Sequence, residues 1–376
     1  MEVNTMEQLN QPNVKENKKK RESNLELFRI IVMLLIIAHH YVANSGLMSE
    51  QYLFAAPTSL KSIFLFSFAA FGKIGINCFV LITAFFMCEK SISHTKFFKL
   101  LFEIMFYKIV IGAIFILSSY EPLTLKNIIK CLIPFQSVTT NFTGCYLLFF
   151  LCIPFLNILI KNLNRKQHIL LIALSCFIYV ILGSIPKFQV SMNYVSWYIV
   201  LYFIGSFIKM YPHKMFDSKK IWGSLSLLSS VLCIVSIVIM AYVKPDQVFF
   251  FVMDCNKILA LVTGISWFMF FKNIKIRYSK FINAVASTTF GVLLIHANSD
   301  FMRQWLWQDT LKNLEVFSTN WVYLHALLSI LGIFILCSVI DFIRQKLIEK
   351  PFMKWWDKIL NKIIKKFSKK ETELSN

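Results

Sequence analysis

Apolar residues along the chain gather into long runs, each closed by a short polar segment that holds lysine or arginine. A helix of about 20 residues crosses a hydrocarbon core of about 30 Å, so each run has the length of a membrane span. Ten spans are predicted, over 25–44, 62–88, 98–119, 145–160, 168–185, 195–211, 221–243, 256–272, 281–298 and 321–345. The second is overlong and holds Lys73 and Gly75, which points to a tilt or a break. The fourth is short and ends near Pro154. The fold class is therefore all-α and polytopic, with no soluble domain and no internal repeat.

Composition sharpens this picture. The chain is 57% hydrophobic, against about 45–50% for an ordinary soluble domain. Its net charge of +20 would suit a nucleic-acid partner, but the basic residues fall in short loops between apolar runs, with no nucleic-acid motif. Lys18, Lys19, Lys20 and Arg21 precede the first span and place that end in the cytoplasm by the positive-inside rule. Every second loop agrees, through Lys90, Lys96 and Lys99, then Arg165 and Lys166, then Lys219 and Lys220, then Lys275 and Arg277. Both termini are expected inside. The first run has full span length and no small-residue cleavage site, so it is expected to stay as an anchor.

Three regions result: a polar cytoplasmic tail over 1–22, a ten-span membrane domain over 23–350, and a basic amphipathic cytoplasmic tail over 351–376. In the last, Trp355, Trp356, Ile359, Leu360, Ile363, Ile364 and Phe367 recur at helical spacing with lysines opposite, as in a helix lying on an anionic leaflet. The nine cysteines stand singly with no CxxC pair and read as small core residues.

The first span, NLELFRIIVMLLIIAHHYVAN, carries charge where a bilayer disfavours it. Arg29 and His40 are eleven positions apart, about 1,100° of helical rotation, or three turns plus about 20°. They share a face, separated by about 16 Å of rise. His39 is turned about 80° from that position, so the paired histidines are not equivalent. Ionisable groups within a span usually face an interior cavity or pathway. Taken singly, Arg29 also reads as snorkelling to inner headgroups, and His40 as a neutral histidine bonded to a neighbouring helix.

With these residues in place, the sequence resembles the membrane-bound acyltransferase family 3 across nearly its whole length. That family's first helix carries a basic residue followed, after ten intervening positions, by histidine; here these are Arg29 and His40. Looser likenesses follow in order: GINCFVLITAFFMCEK, LLFFLCIPFLNILI, WYIVLYFIGSFIKMY, TTFGVLLIH with His296, and IEKPF with Glu349. The family's Ser-Gly is Thr83-Ala84 here, and its Arg-x-x-Arg is absent, with Lys99, Glu103 and Lys108 in that region. The resemblance implies an O-acyltransferase, commonly acetylating a cell-surface polysaccharide or its lipid-linked precursor. It implies acyl-CoA, commonly acetyl-CoA, as a cytoplasmic co-substrate and no bound cofactor. Its partners would be the bilayer and a saccharide, in the plasma membrane of a bacterial cell.

Acyl transfer from a cytoplasmic thioester to a sugar hydroxyl needs a cation for the donor's phosphates and a base for the hydroxyl. Arg29 supplies the first, with a fork suited to phosphoryl oxygens, and a pantetheine arm would span the distance to His40. His40, kept neutral by its apolar bundle, supplies the second as general base, or else is itself acylated. His39 is packing or support. His296 is either oriented by Asp300 one turn on, if the helix continues that far, or solvated at a helix end. Glu349 neutralises Arg344 or Lys350 rather than reacting, and Pro351 ends the last helix. His94, His168 and His213 are expected in solvent. His39, His40, His296 and His325 fall at one depth, but without acidic partners or ligand spacing no metal is expected. The outer loops over 119–144 and 299–313 offer an acceptor surface, in which Trp305 and Trp307 either stack on sugars or form an interfacial belt. The competing functions are a transporter or flippase for a glycan, with Arg29 and His40 in its pathway, and a non-catalytic scaffold.

Overall fold

The computed structural model describes residues 22–90, 93–135, 141–185, 188 and 190–374. The tail over 1–21, with the basic cluster Lys18 to Arg21, lies outside the described residues. Among them the structure is mostly helical, with no strand. In order come α1 (Ser23–Ala43), α2 (Leu60–Ala69), α3 (Gly72–Met87), α4 (His94–Leu117), α5 (Leu125–Leu132), α6 (Phe142–Asn162), α7 (Arg165–Cys176) and α8 (Tyr194–Met210). Then follow α9 (Lys219–Val243), α10 (Ile258–Asn273), α11 (Lys280–Ala286), α12 (Thr289–His296), α13 (Asp300–Gln304), α14 (Asn313–Phe317), α15 (Val322–Arg344) and α16 (Lys350–Leu374).

Among the described residues, seven helical stretches are long and apolar enough to cross a membrane, or eight if a pair bent by 97° after His296 is one span. The predicted sixth and eighth spans are the shorter apolar helices α8 and α10. The protein is thus an all-α, multi-pass membrane protein.

The second stretch, Leu60–Met87, breaks between α2 and α3 just before Lys73. The fourth does not end near Pro154: α6 continues to Asn162, because a proline removes one intrahelical bond and a packed apolar helix tolerates that loss. The last does not end at Pro351. Residues Gln345–Glu349 form a wide helical turn that runs without a break into α16, and Pro351 follows directly on this widened turn, a place where the regular bonding ladder is already altered.

Helix α3 is the centre of the bundle, packed on α1, α8 and α10. Lipid tails are as apolar as leucine, so close backbone approach and polar ties have to hold such helices together. A Cβ on Gly72 would meet His39 Cβ at 2.1 Å, and one on Gly75 would meet Ile36 at 2.8 Å, so these glycines let α3 lie against α1. The ties come from asparagines. Asn77 Nδ2 donates to Cys255 O (2.7 Å) and Ala260 O (3.2 Å), and its oxygen accepts from Trp197 Nε1 (2.8 Å). Asn157 joins α6 to the end of α3 through Met87 O and to α8 through the Tyr202 hydroxyl. Asn24 covers three carbonyls at the end of α10. Outward faces stay apolar: Leu170, Leu227 and Leu336 are exposed, a surface suited to lipid.

A buried ionic cluster fastens α15 to α4. Arg344 donates to Glu103 (2.9 Å), Asp341 (2.8 Å) and Glu349 (2.7 Å), and Lys99 bridges to Glu349 at 2.7 Å. Tyr107 and Gln345 also donate to Asp341. Glu349 therefore does pair with Arg344, and its second cation is Lys99, not Lys350. Beside this cluster the start of α16 packs on α4, with Phe352 stacked on Phe102 and Trp356 against Phe98. The side chains of Ile363, Ile364 and Phe367 lie outside the described residues.

Candidate active site

His40 is on the last turn of α1 and half-buried, and His296 ends α12 fully buried. His40 Nδ1 lies 2.9 Å from His296 Nε2. On its other side, His296 Nδ1 lies 2.6 Å from the carbonyl of Val292. A carbonyl only accepts, so His296 Nδ1 carries hydrogen and donates to it. In the neutral ring Nε2 is then the acceptor, and His40 Nδ1–H is the donor to it. This relay leaves the lone pair of His40 on Nε2.

His40 borders a cavity of about 340 Å³ that does not include His296 among its lining residues. His39, Lys73, Lys108, Tyr194 and Arg303 share that lining. Both segments expected to offer an acceptor surface contribute to it, through Pro134 and Asn141 from one and Arg303 from the other, with Asn298 just before the second. Lys73 Nζ donates to the Tyr194 hydroxyl at 2.8 Å.

The other expected residues separate cleanly. His39 turns from His40's partner and donates Nδ1–H to the carbonyl of Ala69, at the end of α2 (3.0 Å). Arg29 is not among the cavity-lining residues; its guanidinium stands 3.4 Å from Glu26. Its charge reaches Tyr146, whose hydroxyl bonds Thr83 at 2.9 Å. Tyr146 thus lies between Arg29's charge and the segment where Thr83-Ala84 stands in place of the family's Ser-Gly. Ala84 touches α8 at Gly205, where an added Cβ would come within 2.6 Å.

Asp300 does not orient His296. The helix stops at His296 and resumes at Asp300 in another direction, so the one-turn spacing never forms. Asp300 instead bonds Arg303 at 3.0 Å with its side chain 95% exposed. His168, expected in solvent, is fully buried: it bonds Phe203 O at 3.0 Å among the rings of Phe203, Phe207 and Tyr211. His94 and His213 are exposed. His325 bonds the Tyr41 hydroxyl (2.9 Å), apart from the histidine pair. Trp307 is fully buried beside Tyr41 rather than lying at an interface, and Trp305 is 39% exposed. Among the described residues no three His, Cys, Asp or Glu side chains converge as metal ligands.

A family model described as an acyltransferase domain, acyltransferase 3, matches residues 22–340. The chain belongs to the acyltransferase 3 family. The match takes in His40, His296 and all the cations of the cavity, and it stops short of Arg344 and Glu349. No curated protein and no solved structure matches the chain. Membership makes this a membrane acyltransferase.

The cavity cations escaped sequence reasoning. Lys73 was visible as an oddity in an apolar run and Lys108 as part of an altered motif, but nothing local shows that either meets His40. Arg303 lay in a loop already suspected of facing the acceptor.

Proposed function

We propose that this acyltransferase moves an acyl group, by preference acetyl, from a cytoplasmic acyl-CoA to a hydroxyl of a cell-surface polysaccharide or its lipid-linked precursor. The observation that carries the reading is the Val292–His296–His40 relay, which points an imidazole lone pair from His40 without using a carboxylate. As the acceptor oxygen attacks the thioester carbonyl, His40 Nε2 takes its proton. The C–S bond then breaks, and the proton passes from His40 to the departing thiolate. A general base of this kind typically contributes about 10²–10⁴ in rate. His296 is a positioning residue that holds His40 in one tautomer.

In this reading Arg29 stands at the donor's entry, one helix face and about three turns from His40, with its fork available to phosphoryl oxygens. The family and the enclosed histidine pair favour chemistry over transport. Ester-linked acyl groups on the surface glycan test this in cells with the wild-type protein, a deletion, His40→Ala and Arg29→Ala. The deletion and His40→Ala should lose the ester while glycan output persists. Loss of glycan export with unchanged ester per sugar would mean a transporter. Normal acylation in the Arg29→Ala strain would remove the donor role.

A further inference from the structure

The cavity beside His40 is lined by Lys73, Lys108 and Arg303, and among the described residues by no aspartate or glutamate. Each cation lacks a strong counter-charge there. Lys73 bonds a phenol, and Asp254, whose charge reaches it, does not line the cavity. Arg303 pairs with an aspartate side chain that is 95% exposed, and its Nε is buried without an acceptor among the described residues. Lys108 is the extreme case: 9% exposed on α4, it has no hydrogen-bond or ion-pair partner among the described residues. Taking cations out of water without a partner is costly, and more so inside a membrane protein. A ligand that brings an anion removes that cost.

The donor's phosphates do not fit this place. With the thioester carbonyl at His40, the long pantetheine arm holds the phosphates well away from the same cavity. The acceptor has no such constraint. We infer that the acceptor is an anionic saccharide, whose carboxylate or phosphate group seats among Lys73, Lys108 and Arg303 while its hydroxyl faces His40. This rests on the acyl-transfer reading for the hydroxyl's fate but not for the anion's binding. Lys108 is the principal specificity residue, and Lys73, braced by Tyr194, and Arg303 complete the charge.

The test uses the purified full-length protein in lipid nanodiscs, titrated with a glucuronate-containing disaccharide, its carboxyl-reduced neutral counterpart, a sugar 1-phosphate and adenosine 3′,5′-bisphosphate. At least one acidic sugar should bind about tenfold or more tighter than the neutral one, since each charge-assisted bond is worth about that much. Whichever acidic sugar binds identifies carboxylate or phosphate. Lys108→Gln should erase the preference, Lys108→Arg should keep it, and neither should change binding of the bisphosphate. Equal binding of acidic and neutral sugars, no binding by any, a preference that survives Lys108→Gln, or a matching loss of bisphosphate binding would each overturn the inference. Transfer of labelled acetyl from acetyl-CoA to the same probes separates the two readings. Acid-selective binding with no transfer to any probe leaves the anion site standing without the proposed reaction; equal transfer to neutral and acidic sugars does the reverse.

Discussion

His40 Nδ1 and His296 Nε2 meet at 2.9 Å across 256 positions of sequence, and the second ring is anchored by a carbonyl of its own helix. An imidazole held this way cannot turn its Nδ1 toward substrate without breaking its bond to a ring that is itself fixed in one tautomer. Replacing His296 by alanine should therefore lower kcat by about 10–100-fold, the usual cost of losing a partner that orients a reactive histidine. KM should change little, and His296→Gln, whose amide can still accept from His40, should recover part of the rate. A His296→Ala enzyme with unchanged kcat would remove the relay from the mechanism.

In the general-base role proposed above, His40 would never hold the acyl group. Incubation of the protein with labelled acetyl-CoA and no acceptor, quenched rapidly and analysed by mass spectrometry, should show no acetyl on the chain. An acetyl on His40 that forms and is passed on fast enough for turnover would assign it a covalent role instead.

His39 sits beside His40 but spends its Nδ1–H on Ala69 and its bulk against Gly72. His39→Ala should reduce acyl transfer far less than His40→Ala, by about tenfold or less, consistent with loss of one neutral hydrogen bond. Gly72→Val is the sharper probe. Its side chain would fall where His39 Cβ stands, so α3 must back away from α1, and both thermal stability and activity should drop together. Equal losses from His39→Ala and His40→Ala would contradict the distinct roles of the two rings.

Asp300→Asn removes an exposed ion pair, and exposed pairs contribute about 0–1 kcal/mol. Activity should stay within about twofold of wild type, because an exposed ion pair contributes so little. A collapse of the rate on this change, measured in the same acyl-transfer assay, would restore a link between Asp300 and His296 that the bend after His296 denies.

Arg344→Leu leaves Glu103, Asp341 and Glu349 buried with one lysine between them, and stripping the cation from such a cluster costs about 3–5 kcal/mol. Folded yield in membranes should fall sharply, as read by fluorescence-detected size exclusion. Glu103→Gln should be milder, since Arg344 keeps two of its three carboxylates. The opposite ranking would show that the cluster does not hold α4 to α15.

How much of this was legible depends on distance along the chain. Spans are local features, and apolar runs marked the long helices, although seven or eight of them, not ten, are long and apolar enough to cross a membrane among the described residues, and the short α5, α13 and α14 fall in segments read as loops. The Arg29 and His40 spacing was legible for the same reason, and so was the difference between the adjacent histidines, which helical geometry alone imposes. The partner of His296 was not. Its one-turn neighbour suggested a carboxylate, but the chain turns by 97° after His296 and the anchor became Val292 O, a backbone atom with no sequence signature. His168 looked like a loop residue because nothing near it in sequence reveals that Phe203 and Phe207 will cover it. Glu103 and Lys108 lie in one altered stretch of α4 yet serve different ends, one in the ionic cluster and one at the cavity, and only the three-dimensional packing separates them.

The bond between Glu103 and Arg344 spans 241 positions, which sets an order of events at the ribosome. Helix α4 enters the membrane carrying a carboxylate whose main counter-charge has not yet been synthesised, and every helix from α5 to α14 follows before it arrives. During that interval Glu103 lacks its main partner, and a carboxylate within a span is costly until it is paired. Release of the bundle into lipid then waits on α15, so a chain cut short before Arg344 should be recognised by membrane quality control as an orphan, however complete its histidine pair.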